Sequence, residues 1–203
     1  MSKLIKDINT DVLASAYIEI LPFGKGKSML EKEGYKIISL EENAKLRIQE
    51  GKGAYISNNA NWVREGIIYT KNGVYLTRNS PVLTDIKTIT SIPTQAEEFY
   101  ITKKQIEKSL EDSVEIKPIA IPTNRFKDDP ITVFAFDDIA EQYGLFLKEI
   151  GIKKMSIELH TLEAKPFATL VWFCSSNKYQ SSNLIGNWHL IHERIRGIKK
   201  LKK

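Results

Sequence analysis

Ile131-Thr132-Val133-Phe134-Ala135-Phe136 is followed by Asp137, then by Ile139, Tyr143, Phe146, Leu147 and Ile150, then by Gly151 and the stretch Met155 to Leu159. The six-residue run is apolar apart from one threonine, which predicts a strand buried on both faces. Asp137 is a good helix N-cap, the next apolar residues recur at helical spacing, and Gly151 supplies a C-terminal stop. With Met155 to Leu159 as a returning strand, the stretch predicts a βαβ unit with parallel strands and a right-handed crossover.

Toward the C-terminus, Phe167 to Phe173 predicts another strand. A polar loop follows, carrying Ser175, Ser176, Asn177, Ser181, Ser182 and Asn183. From Asn187 onward, Trp188, Ile191, Ile195 and Ile198 fall on one face of a helix, with Arg194, Arg196 and Lys199 elsewhere.

Toward the N-terminus, Pro118 and Pro122 bound a loop or edge segment, and Thr102 to Gln105 forms a capping box opening a helix to about Glu111. Residues 54–90 predict an antiparallel meander. Its centre is a hairpin, Ile67 to Arg78, in which Asn72-Gly73 suits a type I′ turn. Ala54 to Ser57 and Val82 to Ile89 are its further strands. Ser39 and Glu42 form a second capping box, for a helix through Ile48 that Gly51-Lys52-Gly53 stops. Leu4, Ile8, Val12, Ala16 and Ile20 step by four, which predicts an N-terminal helix ended by Pro22 and Gly24. The expected fold class is mixed α/β (α+β): an N-terminal helix and meander over 1–95, then a βαβ-containing region with a basic C-terminal helix over 96–203.

The chain has 203 residues, 42% hydrophobic and 27% charged, which is globular composition. No apolar run is long enough for a transmembrane helix, and the first residues lack the pattern of a signal peptide. One cysteine, Cys174, excludes an internal disulfide and a multi-thiolate metal site. These features set a cytoplasmic location and no cofactor as expectations. The net charge of +5 is uneven. Residues 194–203 carry six basic side chains and no acidic one, and the rest of the chain is close to neutral.

That cationic end carries the first functional expectation, a non-catalytic nucleic-acid-binding or accessory protein. Arg194, Arg196, Lys199, Lys200, Lys202 and Lys203 would neutralise phosphates of DNA or RNA. Trp62, in the polar segment Asn58 to Arg64, would either stack on a base or fold back onto the meander. The second expectation is a small metal-dependent hydrolase or nuclease. If the βαβ strands are parallel, Asp137, Asp138 and His160 share the carboxyl ends of the sheet, where an Asp and a His can do acid–base chemistry. The third is an interaction subunit docking a protein partner through the C-terminal amphipathic helix.

Weaker patterns are the glycine loop Gly24 to Ser28, which lacks the first glycine of a phosphate-binding loop, and His189 with His192, Glu193, His160 or Glu163 as metal ligands. Glu115-Ile116-Lys117, with Asp85 or Asp112, fits the short acidic–lysine tripeptide of metal-dependent nucleases. No metal site is assigned. Cys174 reads as a buried structural thiol.

Overall fold

A computed structural model describes residues 3–10, 13–19, 23–84, 99–161, 164–175, 182–187 and 194–201. The chain opens with an antiparallel hairpin, β1 (Leu4–Asn9) and β2 (Leu13–Ile18), and not with a helix. The four-residue spacing of Leu4, Ile8, Val12, Ala16 and Ile20 is also compatible with every second position of a strand. A sheet that buries β2 from Ala14 to Ile18 selects the extended form.

Next come α1 (Phe23–Lys32), β3 (Lys36–Ile37), α2 (Leu40–Glu50) and α3 (Tyr55–Asn58). The Ser39–Glu42 capping box is present as the sequence predicts, and Gly51 ends the helix with φ 79°. Where Ala54 to Ser57 is expected as a strand, the chain forms the helix α3 from Tyr55. The glycine loop is also helical. Gly24 and Gly26 lie inside α1, where a Cβ on Gly26 would sit 2.5 Å from Ile195 Cδ1. The glycine lets the helix approach the sheet closely; it does not cradle a phosphate.

The predicted hairpin is β4 (Asn61–Thr70) and β5 (Gly73–Thr77). Its two-residue loop is Lys71-Asn72, and neither has a positive φ, so the turn is not type I′; Gly73, at φ 156°, begins the return strand. Residues 81–84 form the short helix α4 (Pro81–Thr84), where a strand is expected, and the rest of that expected strand lies outside the described residues. The second capping box, Thr102 with Gln105, opens α5 (Lys103–Leu110). Two short strands follow, β6 (Ser113–Ile116) and β7 (Ile119–Pro122), the latter an edge strand bounded by prolines.

The apolar run 131–136 is the main correction. It is helix α6 (Pro130–Phe136), not a strand. Asp129 caps it through the Ile131 and Thr132 N–H groups, with Pro130 in the first turn. Asp137 (φ 52°) stops it, and α7 (Ala140–Glu149) continues after one 3₁₀ turn. A short apolar run cannot by itself separate a buried strand from a buried helix. With a helix in place of the first strand, residues 131–159 do not form a βαβ unit. The strand β8 (Lys154–Glu158) pairs antiparallel with β7.

Among the described residues, the strands β9 (Phe167–Phe173), β10 (Ser182–Asn187) and β11 (Ile195–Lys200) complete an 11-stranded, mostly antiparallel sheet. Its main path runs β1-β2-β11-β4-β9-β10-β8-β7, with β5 and β6 added to β4 and β3 added to β11. The expected C-terminal helix is therefore a central strand between β2 and β4, and Ile195, Arg196, Gly197 and Ile198 are buried. One face of the sheet packs on α2, α6 and α7, with Phe136, Tyr143 and Phe173 in mutual contact. The other face takes α1 over β2 and β11.

Two irregularities shape the sheet. In β1 the register slips between Lys6 and Ile8, so Asp7 is the extra residue. Its carboxylate accepts two hydrogen bonds from Arg196, at 2.9 and 2.7 Å, and Arg196 Nη1 also donates to Ser15 Oγ at 2.7 Å. The Arg196 side chain is only 2% exposed and that of Asp7 16%. In β4, Trp62 pairs Trp172 and Gly66 pairs Leu170, so Val63, Arg64 and Glu65 arch away from β9. On the other side of β4, Ile38, just after β3, bridges β11 and β4: its N–H donates to Arg196 O and its carbonyl accepts from Arg64 N–H. Glu65, fully buried, accepts the Leu40 N–H at the start of α2.

Removing one partner of a buried ion pair strands the other charge. Asp7→Ala is expected to destabilise the fold by about 3 kcal/mol in urea denaturation, and Asp7→Leu with Arg196→Met to recover most of that loss. Burial pushes the Glu65 carboxyl up to about 7, against an ordinary value of 4.5, despite the opposing Arg64 charge and Leu40 N–H. The folded state therefore holds this proton more tightly. Its contribution to stability is full below pH 4.5 and is lost as pH rises to about 7, a change on the order of 3 kcal/mol. Glu65→Gln should gain stability relative to the parent across that window, read from denaturation midpoints at successive pH values.

Candidate functional site

The strand pairing draws one row across the sheet: Ile18, Ile195, Trp62, Trp172, Ile185 and Glu158. Cover thins along it. Ile195 lies under Gly26 of α1, and Trp62 meets Phe23 edge-on at 6.5 Å and is 1% exposed. Trp172, 5.0 Å from Trp62 between ring centroids, is half-buried, as is Ile185, and Glu158 is exposed. Side chains two apart on a strand share a face, so Asn183 joins Ile185 and Ser156 joins Glu158. The Asn183 amide donates to Glu158 Oε1 at 2.6 Å. This half of the sheet presents an indole, an aliphatic side chain, an amide and a carboxylate, a set suited to stacking and hydrogen bonding.

The groups beneath are held firmly. Asn43 donates to Asn61 Oδ1 at 2.9 Å, and Asn61 in turn donates to the Trp62 carbonyl. Arg47, fully buried, donates to Tyr143 Oη and the Cys174 carbonyl and lies 4.0 Å over the Phe173 ring. At the row's other end, Arg194 Nε donates to Glu19 Oε1 and Tyr55 Oη, each at 2.8 Å, and Tyr55 stacks on Tyr17. The Tyr55 hydroxyl also donates to Glu19. That bond, with Arg194 next, holds the Glu19 carboxyl below its usual range, and burial pushes the Tyr55 phenol up.

The expected site residues are not brought together. Asp137 and Asp138 are exposed, at 64% and 78%, near Arg78 (3.9 Å) and Lys45 (3.7 Å) respectively. His160 follows β8, where its N–H donates to Tyr69 Oη. With 131–136 helical, Asp137 and Asp138 follow a helix, so they do not share parallel strand ends with His160. Trp62 packs in the core instead of facing a base. Arg194 and Arg196 are ion-paired within the fold, Lys199 donates to Glu33 O, and Lys200 is exposed. Lys202, Lys203, His189, His192, Glu193, Glu163 and Asp85 lie outside the described residues. Asp112 pairs with Arg78 at 3.7 Å, and Cys174 is half-buried. Among the described residues, no group of three His, Cys, Asp or Glu is placed to hold a metal ion. No described helix is long and apolar enough to cross a membrane.

No family model and no curated protein matches the sequence. A solved structure described as "Accommodation of massive sequence variation in Nanoarchaeota by the C-type lectin fold" is similar to this chain, with a TM-score of 0.63. Identity is 14%, and the match covers 96% of this chain and 100% of that one. The fold is C-type lectin-like. This likeness overturns the expectation of a nucleic-acid-binding protein, together with its hydrolase alternative. In the segment that the third reading takes as a docking helix, residues 195–200 are strand β11.

Trp172, Ile185, Asn183 and Glu158 escaped the sequence reading. The run Phe167 to Phe173 marks a strand, but it is apolar at almost every position, so nothing in it shows which face stays open. The two paired tryptophans should respond differently to truncation. Trp62→Ala is expected to cost about 3–5 kcal/mol and Trp172→Ala about 1–2 kcal/mol, by chemical denaturation of each variant.

Proposed function

We propose that this chain is a recognition module that binds a partner protein on the open half of its sheet, centred on Trp172. The observation that carries the reading is the contrast along one row: Trp62 is sealed under α1, while Trp172 beside it is only half-buried and flanked by Ile185 and the Asn183–Glu158 pair. An aromatic anchor bordered by aliphatic and hydrogen-bonding side chains is the composition of a protein-interface hot spot. The groups offered are for contact, not for covalent chemistry.

The C-type lectin-like fold supports this reading. In the similar structure, the fold is described as accommodating massive sequence variation. Applied here, that separates framework from surface. Buried pairs such as Arg196 with Asp7 carry the fold, which leaves the Trp172 face free to carry specificity.

A photo-crosslinking residue, p-benzoylphenylalanine, placed at Ile185 in cells that make the protein should trap a discrete protein adduct. The adduct should disappear when Trp172→Ala is added, and the same crosslinker at Lys148, on the opposite α7 side, should not form it. An adduct that is indifferent to Trp172→Ala, or equal from both positions, would refute the reading.

A further inference from the structure

The β4 bulge creates a second feature, separate from the Trp172 face. Where Arg64 arches away from β9 and β3 wedges in beside β11, a groove of about 480 Å³ opens. Its walls carry Lys36, Arg64, Lys199 and Lys200, with Glu42 as the lining carboxylate. Ile37 and Ile198 supply an apolar floor. We propose that this groove binds a small phosphate-bearing molecule of about the size of a sugar phosphate.

The charge balance is the first argument. Over the whole chain, 30 Lys and Arg stand against 25 Asp and Glu, but the groove is strongly one-signed. Its carboxylate is already committed: Glu42 Oε2 accepts the Ser39 N–H at 2.9 Å in the capping box, so it answers the start of α2. Like charges within a Debye length of about 8 Å repel, and a bound dianion converts that repulsion into attraction.

Geometry is the second argument. Arg64 is held from behind by its backbone N–H on Ile38 O, while its side chain is 44% exposed and only 3.5 Å from Glu65 Oε1, a loose contact. Its guanidinium can turn a two-pronged donor face to phosphate oxygens. Lys36 is placed opposite Ile198 by the β3–β11 register, which sets it near the exposed end of β11 that carries Lys199 and Lys200. Lys199 is partly occupied, donating to Glu33 O at 3.3 Å. Arg64, Lys36 and Lys200 are therefore the phosphate ligands. The volume exceeds what an inorganic anion fills and lies in the range of small-molecule sites, which leaves room for a polar body over the isoleucine floor.

Isothermal titration calorimetry at physiological ionic strength, with glucose 6-phosphate, inorganic phosphate and glucose as probes, tests this. Glucose 6-phosphate should bind saturably with one-to-one stoichiometry, inorganic phosphate more weakly, and glucose not at all. Arg64→Ala and Lys36→Ala should each weaken glucose 6-phosphate by about tenfold or more, and Lys148→Ala, a charge removed from α7, should not. Should a variant fail to fold, Lys200→Gln and amide chemical-shift changes at residues 36, 64 and 198–200 of the parent carry the same decision. The absence of saturable binding, equal binding by glucose, or equal losses in Lys148→Ala and Arg64→Ala would each overturn the site.

Discussion

The fold depends on one strand being placed in the middle of the sheet. Along the main path, β11 is the link between the β1–β2 hairpin and the block β4-β9-β10-β8-β7. It carries Arg196 where a central strand ordinarily carries an apolar residue, and Arg194 leads directly into it. Arg196 is accommodated because the β1 bulge turns Asp7 toward it and Ser15 takes another of its protons. Arg194 is accommodated by Glu19 and Tyr55. A buried guanidinium is tolerable only when its hydrogen bonds and charge are met together, so hairpin, α3 and β11 have to assemble as one unit.

The second constraint is the β4 bulge. It ends the direct pairing of β4 with β11 after Trp62 and Ile195, admits Ile38 between them, and turns Glu65 onto the first turn of α2. Both surface features border it. On one side, Trp62 stays beneath α1 and passes its row on to the half-buried Trp172. On the other, Arg64 is lifted toward the groove edged by Lys36 and Lys200. Trp62 and Arg64, two residues apart on β4, thus border the aromatic surface and the cationic groove respectively.

Much of the local structure was legible in the residues. Both capping boxes, the hairpin of residues 67–78, the strand Phe167 to Phe173 and the proline-bounded edge segment stand where their patterns put them: the boxes rest on contacts within a few residues, and the strands are marked by local composition even though their pairing partners are distant. The misreadings share a cause. Residues 4–20, 131–136 and 195–200 are short apolar or mixed runs whose spacing fits helix and strand alike. In each, the neighbour that covers the run decides between the two. For 131–136 the decisive local signal, Asp129-Pro130 ahead of the run, was present in the sequence.

By itself, then, the sequence determined the mixed α and β composition, the helix starts at Ser39 and Thr102, and the uneven charge of the C-terminal residues. Tertiary structure alone decided what that charge does. Periodicity placed Arg194 and Arg196 on the polar side of a helix, but partners more than 130 residues away tie both into the fold, Arg196 within β11 and Arg194 just ahead of it. It also decided that Trp62 is sealed while Trp172 is not. The physical reason is the same in both cases. Burial and ion pairing are set by which distant segments meet, and no local pattern around either residue carries that information.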